Sequence, residues 1–464
     1  MASFFCNADG PSEPLEHYWE NVVGGGHASL ALRADWQQQL LRVRQELGFR
    51  HLRVRGILDD VLGTLVSRRS ELVRSFFNSD RIVDFVLGAG MRPFVELGFM
   101  PSALASGERT AFSHRANVTP PADSDEWRRL VDALVRHWID RHGREEVRQW
   151  YFEVWHHPNR QAFWTGTKED YFTFYRITAE TLKAIDAGLR VGGPATAEGE
   201  WLVEFREYCE RNRVPCDFIS TQPPMSASGA QLRQETERLR EEARGGLPLY
   251  YCEWSAPGQA RDPLRDEPYG AAFVLSALLA LHGLVAGCAL RSFTDLGDED
   301  HPPSVPYHGG AGLLNLYGIA KPAYHAYALL HRAGERILPV EGRHDTVQAW
   351  VTDGSGGLMV LLVNSAPPGL PIATEPVDFT LRLPATALSA TVERIDPYHA
   401  NPKRLWRQIG RPEYLQAAEV QQLRQAAALA AEALALRREG DLAAFDLALP
   451  PHGVAAVTLQ LERG

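Results

Sequence analysis

From about residue 15 to 335 the chain alternates short apolar runs with stretches whose apolar residues recur at helical spacing. Trp127, Leu130, Val131, Leu134, Val135, Trp138 and Ile139 fall at i, i+3, i+4, i+7, i+8, i+11 and i+12, so they share one face of a helix. Asp123-Ser124 offers a cap ahead of them and Gly143 a stop behind. Trp36, Leu40, Val43 and Leu47 repeat the pattern, and further helices are expected near 80–90, 168–186, 200–212, 229–243 and 267–282. Between them lie β-like runs: Leu52–Val54, Pro93–Leu97, Tyr151–Trp155, Leu189–Val191, Asp217–Ser220, Leu249–Cys252 and Cys288–Leu290. A first strand near Tyr18–Val23 completes eight.

Strands alternating with helices over this length predict a parallel sheet, and eight units close a (β/α)8 barrel. An open doubly wound sheet is the competitor, but no strand is followed by a glycine-rich dinucleotide loop. After Pro339 the period changes to two. Val347–Val351 and Leu358–Val363 flank the turn Asp353-Gly354-Ser355-Gly356-Gly357, and Val377, Phe379, Leu381 and Leu383 alternate with polar residues. Val457, Leu459 and Leu461 do the same. The expected organisation is therefore a barrel over 1–338 and a β-sandwich over 339–464, with an Ala-rich helical excursion near Glu419–Arg438.

The 464 residues suffice for both units, and 45% hydrophobic with 23% charged residues describes an ordinary globular chain. A net charge of −10 supplies no basic field, so nucleic acid is not an expected partner. Ala271–Leu290 carries no formal charge, but His282-Gly283 interrupts it. It reads as a buried helix running into a strand rather than a membrane span. The N-terminus lacks signal-peptide features, and Cys6, Cys209, Cys216, Cys252 and Cys288 form no C-x-x-C pair, so reduced thiols and a cytoplasmic location are expected. No cofactor is expected, and the oligomeric state is not legible.

Barrel chemistry sits at strand C-termini. The fourth strand runs out into Trp155-His156-His157-Pro158 and the seventh into Cys252-Glu253-Trp254. Gly24-Gly25-Gly26-His27-Ala28, Arg92-Pro93-Phe94-Val95-Glu96-Leu97, Asn117-Val118-Thr119-Pro120-Pro121, Trp150–Trp155, Gly192-Gly193-Pro194-Ala195-Thr196 and Tyr307-His308-Gly309-Gly310 occur in that order. Through these motifs the chain resembles glycoside hydrolase family 39, the retaining β-xylosidases and α-L-iduronidases, over nearly its full length. The resemblance implies a nucleophile at Glu253 and an acid/base glutamate in an Asn-Glu-Pro triplet that here reads His156-His157-Pro158. Retaining glycosidases use two carboxyl groups roughly 5–5.5 Å apart, and one of the pair is missing.

Other positions implied to line the pocket differ from the family pattern as well: Arg55, Gln222 and Arg291. His157 is expected to take the acid/base place, since an unperturbed histidine titrates near neutrality. His156, Arg55, Gln222, Arg291, Asp295, His17 and His308 are candidate ligand contacts, with His27 and Glu96 in supporting roles. Asp298, Glu299 and Asp300 are read either as a solvated loop or as contacts to a polar or cationic ligand. A metal site of His156, His157 and Glu253 is not expected, because neighbours on a strand point to opposite faces, and Cys252 is expected to point away from the pocket for the same reason. The functional expectation is hydrolysis of a sugar or sugar-bearing molecule. The alternatives are a hydrolase of a C–N or imine bond on an aminosugar natural product, or a sugar-binding pseudoenzyme.

Overall fold

The computed structural model describes residues 1–461 apart from 70, 225, 227, 244–245, 259, 298–302 and 384–386. Eight parallel strands form the barrel sheet: β1 (Val22–His27), β2 (His51–Arg55), β3 (Arg92–Leu97), β4 (Tyr151–Val154), β5 (Arg190–Thr196), β6 (Phe218–Thr221), β7 (Leu249–Trp254) and β8 (Gly287–Leu290). Each pairs with its sequence neighbour, and helices fill the crossovers. The seam between β8 and β1 closes through Phe293 N–H donating to the Gly24 carbonyl at 3.0 Å. A side chain at Gly24 would run into the backbone carbonyls of Leu290 and Arg291, so only glycine permits that approach.

This seam corrects the expected first strand. Tyr18–Glu20 is a 3-10 turn and the strand begins at Val22, running through three glycines that local pattern marks as a loop. Tertiary contact with the last strand overrides the poor strand propensity of glycine. The capped helix lies where expected: it spans Ser124–His142, Asp123 accepts from Asp125 N–H, and Trp127, Leu130, Val131, Leu134, Val135 and Trp138 are buried. Ala271–Leu290 divides into a buried helix ending at Ala280 and strand β8. Among the described residues no helix is long and apolar enough to cross a membrane.

Val22, Phe94, Tyr151, Phe218, Tyr250 and Ala289 plug the N-terminal end of the barrel. Inward positions nearer the C-terminal end are charged, and there the fold hands over to the site. Beyond residue 335 two mainly antiparallel sheets enclose a second core that includes Val360, Phe379, Phe445 and Val457. Strand Ala2–Asn7 lies parallel to strand Glu375–Arg382 and belongs to one of these sheets, so the chain's first residues fold with its last third. The helical excursion expected near 419–438 is helical only over Ala417–Ala426; Ala431–Ala433 and Arg437–Glu439 are short edge strands. Alanine content read as helix there, but hydrogen bonding to existing sheet edges decided the outcome.

Candidate active site

Arg53 and Arg55, two apart on β2, both point into the barrel, as the two-residue period of a strand requires. Arg53 is buried between Glu96 of β3 and Glu153 of β4, with its Nε 2.7 Å from Glu153 and its Nη2 on Glu96. Glu96 Oε2 in turn accepts from His156 Nδ1 at 3.1 Å. Arg55 Nη1 donates to His156 Nε2 at 3.1 Å and lies 3.3 Å from Glu253 Oε2. Arg291 Nε, at the end of β8, reaches the other Glu253 oxygen at 3.0 Å. A chain of ion pairs and hydrogen bonds thus runs from Glu153 through Arg53, Glu96, His156 and Arg55 to Glu253 and Arg291. Because Arg55 can only donate, His156 Nε2 is the acceptor and Nδ1 carries the proton.

Glu253, only 6% exposed, ends β7. Burial pushes its carboxyl up, but the Arg55 and Arg291 guanidiniums prevail and hold it well below the usual carboxylate range. It is a carboxylate at neutral pH. Burial drives both His156 and His157 well below the ordinary imidazole range, with Arg55 adding to the effect on His156 and His156 to that on His157. Glu96 is pushed up to about 7 by burial, against the pull of Arg53 and Arg55.

β4 ends at Val154, and Trp155 and His157 take positive φ of 70° and 43°. The turn brings both imidazoles to one side: their rings stack with centroids 4.0 Å apart, and donor atoms of His156, His157 and Glu253 all lie within 4.8 Å of one another. The expectation that consecutive residues would diverge is therefore wrong here, because the segment is no longer a strand. Cys252 is buried on β7. The β7–β8 register shifts between Tyr251 and Trp254, and the Cys252 thiol lies close enough to Glu153 and Arg53 to feel their charges. Burial pushes that thiol far up, so it stays protonated. His157 also departs from the expected near-neutral titration: its buried ring is neutral, and its Nε2 has no hydrogen-bond partner among the described residues.

A cavity of about 70 Å³ opens beside Glu253, lined by Arg55, Arg265, Arg291, Asp295, His308 and Gly310 among others. Asp295 is committed to structure: Lys321 Nζ lies 3.1 Å from it, and Gly312 N–H donates to it at 2.8 Å. His308 is held by the Val305 carbonyl at 3.1 Å. Gln222 follows β6, its N–H donating to the Thr196 carbonyl, and it is not among the cavity-lining residues. His17 is elsewhere. It precedes β1 and bonds Glu20 and the Gly334 carbonyl at the N-terminal end of the barrel, so it shares no pocket with Glu253. Asp298, Glu299 and Asp300 lie outside the described residues. Sequence reasoning missed the inward Arg53 and its partner Glu153; charged residues inside short apolar strands were the available signal.

The family model for glycosyl hydrolases family 39 matches residues 5–443. The chain belongs to that family. A β-xylosidase of Caldicellulosiruptor saccharolyticus is 40% identical over 469 residues, covering 96% of each chain. Among solved structures, the GH39 enzyme from Xanthomonas axonopodis pv. citri superposes with a TM-score of 0.90 at 32% identity, covering 99% of this chain and 97% of that one. A monomeric β-xylosidase from Caulobacter crescentus CB15 gives 0.90 at 28% identity, with both chains fully covered.

Proposed function

We propose that this family-39 protein hydrolyses a glycosidic bond in a sugar or sugar-bearing small molecule, with Glu253 as nucleophile and His157 in the acid/base position. The observation that carries the reading is the ionised Glu253 facing two imidazoles across less than the roughly 5–5.5 Å of a retaining pair. Glu253 attacks the anomeric carbon and the leaving group departs with its bonding electrons. Water then displaces Glu253 while the neutral His157 takes the water's proton. The first step is the weak one. Neither imidazole is charged at neutral pH, so neither is a strong proton donor to a departing alkoxide. Substrates with acidic leaving groups are the ones this site suits.

β-Xylosides are the first substrates to test, since relatives bear the name β-xylosidase. We expect measurable kcat/KM on 4-nitrophenyl β-xyloside, poor turnover of xylobiose, and a glycosyl adduct on Glu253 by mass spectrometry. Glu253→Gln should lower kcat/KM by about 10²-fold or more. Efficient hydrolysis of xylobiose, or a Glu253→Gln variant with undiminished rate, would overturn the proposal.

One observation favours a sugar-binding pseudoenzyme instead. Both Glu253 oxygens are engaged by guanidiniums, which draws charge from a nucleophile. In that case no aryl glycoside turns over, and Glu253→Gln changes ligand affinity in a binding isotherm.

A further inference from the structure

A second cluster of imidazoles and carboxylate stands apart from Glu253. His27 ends β1, Asp59 follows β2, and His114 lies on the tip of a small hairpin between Thr110–Ala111 and Ala116–Asn117. His27 Nε2 is 3.0 Å from Asp59 Oδ2, and His114 Nε2 is 3.4 Å from the same oxygen. The two rings sit with centroids 4.1 Å apart, and the three donor atoms lie within 4.8 Å of one another. His114 Nε2 is buried and has no hydrogen-bond partner among the described residues.

We propose that His27, Asp59 and His114 form a site for one divalent transition-metal ion. Two imidazoles and a carboxylate are a donor set suited to Zn2+, Co2+, Fe2+ or Mn2+. Metal–donor bonds of about 2.0–2.2 Å at tetrahedral or octahedral angles set donors roughly 3–3.5 Å apart, the spacing of both histidines from Asp59.

The surroundings orient the donors. Asp59 Oδ1 accepts from Phe99 N–H at 2.9 Å, which leaves Oδ2 for the cluster. Without metal, His27 Nδ1 accepts from Ser29 N–H at 3.2 Å, so Nε2 carries the ring proton and points it at Asp59 Oδ2, 3.0 Å away. When the ion binds, that proton moves to Nδ1, where Ser29 Oγ, 2.8 Å away, can accept it, and the Nε2 lone pair is freed for the metal. Gly56 keeps the space clear, since a side chain there would strike His27 Nε2.

His114 is held in place at a cost. Phe112 and Arg115, which flank the tip, take positive φ of 59° and 60°, and Phe112 stacks on the His114 ring at 5.3 Å. Non-glycine residues in that region carry strain that surrounding structure must outweigh.

The other cluster, His156, His157 and Glu253, is a poorer cation site. Arg55 already occupies His156 Nε2, and Arg55 and Arg291 both pair with Glu253. Among the described residues no lysine or arginine pairs with Asp59. His27 is in register with Arg55 in the β1–β2 ladder, so an ion here would border the pocket and offer its remaining positions to water or a ligand oxygen.

The test uses the full chain stripped with chelator and then titrated with Co2+ alone, reading visible ligand-field absorption and metal content per chain. The expected result is one Co2+ per chain, with affinity lowered at least tenfold in His114→Ala and little changed in His157→Ala. His114 is on a hairpin tip, so this variant should fold, with circular dichroism as the check. His114→Cys, which restores a donor, should recover binding. Absence of bound Co2+ in the unmodified chain would overturn the proposal. So would binding that survives His114→Ala and is lost in His157→Ala.

Discussion

The His156 and His157 imidazoles stack with centroids 4.0 Å apart and planes 24° from parallel, although the residues are consecutive in the chain. The positive φ of Trp155 and His157 makes this possible, and it delivers both rings to Glu253. The site brings together one carboxylate, two neutral imidazoles and two guanidiniums.

Introducing a carboxylic acid tests the proposed acid/base role of position 157. In a His156→Asn, His157→Glu double variant, the introduced carboxyl group would supply a proton donor for the leaving oxygen. We expect kcat/KM on xylobiose to rise tenfold or more, and on 4-nitrophenyl β-xyloside to rise far less, because a good leaving group needs little protonation. His157 already carries the left-handed φ, so the backbone at this position gives no reason for a large loss of thermal stability in the variant. Equal changes on both substrates would argue against acid catalysis at position 157.

Arg53 tests the buried network beneath the site. It is 5% exposed and is sandwiched by Glu96 and Glu153, neither of which is exposed at all. Arg53→Met keeps the length of the side chain but leaves two carboxyls facing each other without a cation. Removing one member of a buried ion pair typically costs about 3–5 kcal/mol. A lowered urea midpoint is expected; an unchanged midpoint would mean both glutamates are protonated and hydrogen-bonded without Arg53.

On acidification through the histidine range His156 and His157 should lower stability, against an opposite slope from Glu96, whose raised value makes its contribution grow as pH falls. His156 and His157 are held well below the ordinary imidazole range in the folded chain, whereas unfolded histidines take up a proton near pH 6.5. Folded values below unfolded ones mean a contribution that is present above about pH 6.5 and lost as pH falls. Each such group contributes a slope of up to about 1.4 kcal/mol per pH unit. His325, lowered to about 4 by burial, adds to the same window. Urea melts at pH 7.5, 6 and 5 should show this loss, and a His156→Asn, His157→Asn variant should show a shallower one with the His325 share intact. Parallel slopes in the two proteins would refute the burial argument.

What could be read in advance follows from how local each determinant is. The helix Ser124–His142 was legible because its cap, period and stop lie within its own residues. β1 was misplaced because Gly24–Gly26 carry no side chain to signal a strand, and their pairing depends on backbone at the far end of the barrel. The place of Glu253 at a strand end was legible from the short apolar run before it. Motif matching put His17 in the pocket, although it braces the opposite end of the barrel. The orientation of His157 turned on a positive φ, which leaves no mark on hydrophobic period.

The two arginines on Glu253 should be separable by the acid limb of the pH–rate profile. Arg55 is 5% exposed and its guanidinium lies 3.3 Å from Oε2, while the Arg291 side chain is 45% exposed and lies 3.0 Å from Oε1. A cation beside a carboxylate favours its ionised form, so removing either one raises the Glu253 pKa. On the proposed function, the nucleophile would then be lost at a higher pH than before. Solvent screens the exposed pair more strongly, so Arg55→Gln should move the acid limb of kcat/KM further upward than Arg291→Gln. Arg55→Gln also frees His156 Nε2, which ought to raise the His156 pKa because a neighbouring cation is gone. The measurement is kcat/KM on 4-nitrophenyl β-xyloside from pH 3 to 8 for the three proteins. Superimposable acid limbs would mean that neither guanidinium sets the ionisation of the rate-controlling group between pH 3 and 8.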